Sequence, residues 1–195
     1  GGKKVYDGPV FNEGIDLKGK TIVITGGNTG LGKDSAIALA KKGAEIIILC
    51  RNSEKAQSAV DDIKKESNNS NIDYIVVDLA SLKSIDECSK KLKSQLKKID
   101  VLQLNAGVMA IPELQYTNDG FERQFGTNHL GHFALTGKII DLLKKSEQPR
   151  LVTVSSSAHL ISTELNTQST DELMLLDKKE SYQPWKAYGN SKLAN

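Results

Sequence analysis

Cysteine is scarce in this 195-residue chain, long apolar stretches are missing, and neither sign of charge dominates. Cys50 and Cys88 are the only cysteines, and they stand at no disulfide or metal-ligand spacing. That excludes a disulfide-stapled domain or a zinc module and leads to the expectation of a reduced, cytoplasmic protein. His129, His132 and His159 show no metal spacing either; packing or surface positions are expected for them, and no metal site. No uninterrupted apolar run exceeds five residues, as at 46–50, against the roughly 20 that a membrane-spanning helix needs. The opening Gly-Gly-Lys-Lys holds no apolar signal core, although an anchor removed upstream would leave no trace. A net charge of +2 argues against a dedicated nucleic-acid binder. Lysines such as Lys90, Lys91, Lys93, Lys97 and Lys98 read as a solvated helix face rather than a phosphate-tracking stripe. There is no low-complexity tract and no convincing internal repeat.

What is present is alternation. With 38% hydrophobic and 26% charged residues, the chain has the composition and length of one soluble globular domain, 1–195. Apolar, β-rich runs at 20–25, 45–50, 74–78, 101–104 and 151–154 read as strands. Between them lie helical patterns: 31–42 with Ala36, Leu39 and Ala40 inward and Gly43 as its stop; 53–66 capped by Ser53; 81–97 with Leu82, Ile85, Leu92 and Leu96 inward; and 119–145, with apolar positions including Phe121, Phe125, Phe133 and Leu143. Buried strands alternating with helices imply a parallel sheet with right-handed crossovers, hence a single-domain α/β fold with a doubly wound parallel sheet of Rossmann type. The polar stretch 157–185 breaks the rhythm and reads equally as a lid or a flexible insertion.

The turn between the first strand and the first helix reads Thr25-Gly26-Gly27-Asn28-Thr29-Gly30-Leu31-Gly32. Gly26 lets the chain turn, Gly30 lets backbone approach a pyrophosphate, Gly32 lets the helix pack closely, and the helix N-terminus faces the anion. Such a turn can also be merely structural. The second strand then ends in Cys50-Arg51-Asn52, without the acid that usually holds the ribose hydroxyls of NAD. An arginine there suits the 2′-phosphate of NADP by charge and bidentate geometry. Lys33 adds positive charge nearby or is solvated.

Tyr188 and Lys192 stand four apart in a proline-free stretch of good helical propensity, one turn apart on one face. A decoy pair, Tyr182 and Lys186, has Pro184 between its members, so no helical face is expected to join them. Tyr-x-x-x-Lys alone is weak evidence. With the glycine loop, Asp78-Leu79, Asn105-Ala106-Gly107-Val108-Met109, the run from Thr127 through Asn128 to Phe133, and Val154-Ser155-Ser156, it makes an ordered set. Over nearly its whole length the chain resembles the short-chain dehydrogenase/reductase family, most of all its retinol-dehydrogenase-type branch.

The resemblance implies a set of roles. Thr25, Gly26, Asn28, Thr29, Gly30, Leu31, Gly32, Arg51, Asn52, Asp78, Leu79, Asn105, Ala106 and Gly107 would hold the cofactor, NADP(H), together with Tyr188 and Lys192. Asp78 and Leu79 would flank the adenine. The catalytic set would be Asn128, which kinks the long helix and holds a relay water, with Ser156, Tyr188 and Lys192. Ser156 rather than Ser155 matches as the second serine after the strand. The implied reaction interconverts an alcohol and its carbonyl: NADPH supplies hydride, Tyr188 the proton, Lys192 favours the phenolate, and Ser156 polarises the oxygen. An apolar, retinoid- or steroid-like small molecule is the implied substrate, and homodimers or homotetramers are the family's habit. The chain departs from the pattern in three places. Leu104 precedes Asn105 where a second asparagine is usual, 157–185 is long, and the sequence stops at Asn195, short of a sixth strand and a Pro-Gly turn. The missing C-terminal segment leaves open an inactive nucleotide-binding fragment or regulatory module of the same fold, and the scaffold itself leaves open a reductase of carbon–carbon double bonds.

Overall fold

Strand β1 (Thr21–Thr25) is buried along its whole length, with Ile22 and Ile24 entering one core and Val23 the other. Such a two-faced strand belongs at the centre of a sheet covered on both sides. In the computed structural model, which describes residues 14–162 and 182–195, it is the middle of five parallel strands in the order β3-β2-β1-β4-β5. The others are β2 (Glu45–Cys50), β3 (Ile72–Val76), β4 (Val101–Leu104) and β5 (Arg150–Thr153). Helices α1 (Gly30–Ala40) and α2 (Ser53–Ser67) cover one face through Ala36, Ala40, Val60 and Ile63. Helix α3 (Leu82–Gln95) and the long helix ending at Leu143 cover the other through Ile85, Leu92, Leu135 and Ile139. This is a doubly wound, Rossmann-type single domain. The chain reverses its winding between β1 and β4, where such sheets open a crevice at their carboxyl ends.

Several boundaries differ from the sequence reading. β3 begins and ends two residues before 74–78, because its register is set by β2: Ile46 pairs with Ile72 and Cys50 with Val76. Asn52, not Ser53, caps α2, its Oδ1 accepting from Lys55 N at 2.8 Å. Leu82, at the first position of α3, is exposed rather than inward. The helix expected over 119–145 starts later, since Gly120 has φ +85° and cannot be helical. Glu122 caps it instead, accepting from Gln124 N and Phe125 N. That helix runs as α4 (Arg123–Phe125), a π turn (Gly126–Leu130) and α5 (Gly131–Leu143). The extra residue in the wide turn rotates everything after it by about 100°. Phe133 therefore ends 72% exposed, while Phe125 and Leu143 stay inside.

After β5 come a 3-10 turn (Ser157–Ile161) and, beyond the undescribed stretch, α6 (Pro184–Leu193). The lid or insertion expected over 157–185 falls mostly on residues 163–181, which lie outside the described residues. Pro184 opens α6 at its first turn, where no backbone donor is needed, so Tyr182 stays outside the helix. Among the described residues no helix is long and apolar enough to cross a membrane.

Candidate active site

The crevice at the carboxyl ends of β1, β2 and β4 holds a cavity of about 400 Å³. One wall is the glycine turn, through Gly26, Asn28 and Thr29; the opposite wall is 105–108, the loop that leaves β4. The turn is possible because Gly26 adopts φ +66° and because a side chain there would press on the Ala106 backbone at 3.0 Å. Gly32 has no room at all: a Cβ would collide with the Gly26 carbonyl and lie 2.5 Å from Asn105 Nδ2. Thr29, which lines the cavity, caps α1 without a side-chain bond, so its side chain leaves the first-turn amides of the helix uncapped. Leu31 is 73% exposed in the first turn of α1, and neither it nor Gly30 or Gly32 lines the cavity.

Thr25 sets the distance between the two walls. Its Oγ1 accepts from Asn105 N at 2.9 Å and Ala106 N at 3.0 Å, while Asn105 Nδ2 donates to Thr25 O at 3.0 Å. Arg51, Asn52 and Lys55 line the cavity where β2 ends. Arg51 is exposed and has no ion-pair partner among the described residues. Lys33 does not join them, since its Nζ is bound to Asp62 at 2.6 Å. Asp78 and Leu79 lie on the third side, and Asp78 Oδ1 accepts from Ala80 N. Cys50 also lines the cavity, with burial pushing its thiol up to about 11, so it stays a neutral wall.

The second group of residues meets this cavity at Gly107. A Cβ on Gly107 would lie 3.2 Å from Asn128 Oδ1 and 3.8 Å from Lys192 Nζ. Asn128 sits inside the π turn, fully buried. Its Oδ1 accepts from Val108 N and its Nδ2 donates to Val108 O and Ser191 Oγ, at 2.8, 2.9 and 2.9 Å. It thus joins the β4 loop to α6. Tyr188 and Lys192 are both on α6. Lys192 is only 5% exposed; its Nζ donates to Val154 O at 2.8 Å and lies 5.8 Å from the Tyr188 ring centroid. Burial pushes the Lys192 ammonium below the usual lysine range. Trp185, the chain's single tryptophan, packs edge-on to Tyr188 with ring centroids 6.2 Å apart.

The two serines divide their work. Ser155 Oγ donates to Lys192 O at 2.7 Å and fastens the end of α6. Ser156 caps the 3-10 turn, its Oγ accepting from Ala158 N at 3.2 Å, and its own hydroxyl proton has no acceptor among the described residues. The decoy Tyr182 is a strut: its hydroxyl donates to Ile111 O and accepts from Gln124 Nε2.

Two side chains in this region were missed in the sequence reading. Lys55 could have been found as a cation one turn into the helix behind Arg51. His132, read as packing or surface, is 2% exposed and bonded to both Thr25 and Asn128, which its spacing alone does not reveal. Among the described residues no three His, Cys, Asp or Glu side chains cluster as metal ligands.

A parallel sheet with a glycine turn at its switch point and a Tyr–Lys helix beside it defines a class of nucleotide-dependent oxidoreductases. A family model described as short chain dehydrogenase matches residues 20–167, and the chain belongs to that family. It lies on the retinol-dehydrogenase-like branch. Retinol dehydrogenase 13 of Homo sapiens is 43% identical over 182 residues, covering 91% of this chain and 52% of the relative. Retinol dehydrogenase 12 of Mus musculus is 41% identical over 193 residues, covering 99% and 58%. Among solved structures, an uncharacterized protein from Mycobacterium paratuberculosis matches at 36% identity and a TM-score of 0.75, over 92% of this chain and 59% of that one. The chain spans about half the length of the curated relatives it matches.

Proposed function

We propose that this chain carries the cofactor cleft and proton-transfer group of an NADP-dependent oxidoreductase that interconverts an alcohol and its carbonyl. The observation that carries the reading is Lys192. It is a buried ammonium with no carboxylate partner among the described residues, close to the Tyr188 ring and beside the cavity wall at Gly107. A desolvated cation with no carboxylate beside it stabilises negative charge that develops nearby during proton transfer, and Tyr188 stands one turn away on the same helix. The residues around the cavity fit a phosphorylated dinucleotide: the uncapped start of α1 at Thr29 for the pyrophosphate, Arg51 and Lys55 for a 2′-phosphate, and no acid at the end of β2. Bound there, the nicotinamide would supply the hydride. Tyr188 would pass its proton to the substrate oxygen, and Ser156, whose hydroxyl proton has no acceptor among the described residues, would donate it to the same atom as charge grows there. Both amide protons of Asn128 and one lone pair of its Oδ1 are spent on the β4 loop and Ser191, so its part is to hold that loop against α6.

Two named relatives act on retinol, and we extend an apolar alcohol or carbonyl as the substrate class to this chain. The test is NADPH oxidation by the purified full-length gene product with a panel of apolar aldehydes and ketones. Tyr188→Phe should cut turnover by about 10²–10⁴-fold, the usual worth of a general acid, with an unchanged circular dichroism spectrum. Full turnover in that variant would overturn the assignment. NADPH binding without turnover by the unaltered protein would favour the regulatory-module reading instead.

A further inference from the structure

We propose that His132 is a positioning residue which ties the backbone carbonyl of Asn128 to the hydroxyl of Thr25 and so keeps the Tyr188–Lys192 side of the site in register with the nucleotide cleft. The inference rests on the oxidoreductase reading above. Its geometry is direct: His132 Nδ1 lies 2.7 Å from Asn128 O, and Nε2 lies 2.8 Å from Thr25 Oγ1.

The protonation state follows from the partners. A carbonyl oxygen can only accept, so Nδ1 carries the proton and donates to Asn128. In a neutral imidazole Nε2 is then an acceptor, and the proton it receives is that of Thr25 Oγ1. The Gln103 carbonyl is the other acceptor in reach of that proton, but at 3.5 Å against 2.8 Å for Nε2, so the proton goes to His132 and both Thr25 lone pairs face the amides of Asn105 and Ala106. An imidazolium would instead set a third donor against the same hydroxyl. Burial holds His132 down to about 4, and the charges of Lys192 and His129 act in the same direction, while the bond to the Asn128 carbonyl opposes them.

Each end of the imidazole reaches one half of the site. Thr25 spaces the walls of the nucleotide cavity. Asn128 bridges the β4 loop to Ser191, which itself donates to Tyr188 O at 2.7 Å. One ring thus connects the cofactor wall to the helix bearing the proton donor. The connection depends on the π turn, which contains Asn128 and directly precedes the helix bearing His132.

Two half-replacements separate the arms. Asn places an amide where Nδ1 was and keeps the bond to Asn128, whereas Gln reaches the Nε2 position and keeps the bond to Thr25. His132→Asn is expected to raise KM for NADPH by about tenfold, the scale of one lost buried hydrogen bond, with little change in kcat. His132→Gln is expected to lower kcat by about tenfold with KM for NADPH nearly unchanged. His132→Phe loses both. If all three variants merely lower kcat in proportion to folded protein, with KM unmoved, His132 is a packing residue and the proposal falls. Side-chain nitrogen NMR of the unaltered protein provides a second decision that needs no activity. A neutral ring protonated on Nδ1 at pH 7 supports the arrangement, and a proton on Nε2 or an imidazolium overturns it. Absence of turnover in the unaltered protein would count against the oxidoreductase reading, while the NMR result would still decide the placement of His132.

Discussion

Arg51 is the single side chain on which the proposed choice of NADP over NAD rests. It stands at the exit of β2 without an ion-pair partner among the described residues, beside Lys55 and facing the cavity. Arg51→Ala should raise KM for NADPH by about 10–100-fold, as expected for a lost charge-assisted pair, and leave KM for NADH almost unchanged. Steady-state kinetics with both cofactors measures the difference; equal losses with both would remove the 2′-phosphate from the account. That Arg51 follows β2, that the glycines turn the chain between β1 and α1, and that Tyr188 and Lys192 share a helix was legible in the sequence, because each position is fixed by its spacing from a strand or helix end. Lys33 was ambiguous there, and its pairing with Asp62 across two helices is a tertiary fact. His132 was illegible for the same reason, since its partners are 107 residues away in one direction and a backbone carbonyl in the other.

At the scale of elements, the widened turn at Gly126–Leu130 is the feature that periodicity could not show. Apolar spacing placed a helix over 119–145, and most of it is helical, but one inserted residue changes which side chains face inward. Phe133 shows this most clearly. The start of α5 also presses on the cavity wall at Leu79. A Cβ at Gly131 would collide with the Leu79 carbonyl, whereas one at Gly137, further along the same helix, would meet nothing within 4 Å. Gly131→Ala is therefore expected to cost about 1–3 kcal/mol by overpacking and to weaken NADPH binding through Leu79. Gly137→Ala should be neutral or stabilising by about 0.5–1 kcal/mol through lost chain entropy. Urea melts of the two variants check the contrast, and equal stability would mean that the α5–Leu79 contact yields.

Across the whole molecule, the alternation of strands and helices was readable, and with it the doubly wound class; the positions of β3 and β5 at the sheet edges came only from pairing. Stability should carry the signature of the buried imidazole. His132 has its proton affinity lowered from 6.5 to about 4 in the fold, so the unfolded chain binds a proton first as pH falls. Its contribution is constant above pH 6.5 and is lost between there and about 4, a change on the order of 3 kcal/mol. Denaturant melts across that window, compared with His132→Phe, isolate the effect; parallel curves for the two proteins would refute it.

The edge-on contact between Trp185 and Tyr188 has an optical corollary. Because no other indole exists in the chain, all of its tryptophan emission arises one helical turn from the proposed proton donor. Titrating reduced dinucleotide should quench that light by energy transfer, so the native chain reports its own occupancy without a label.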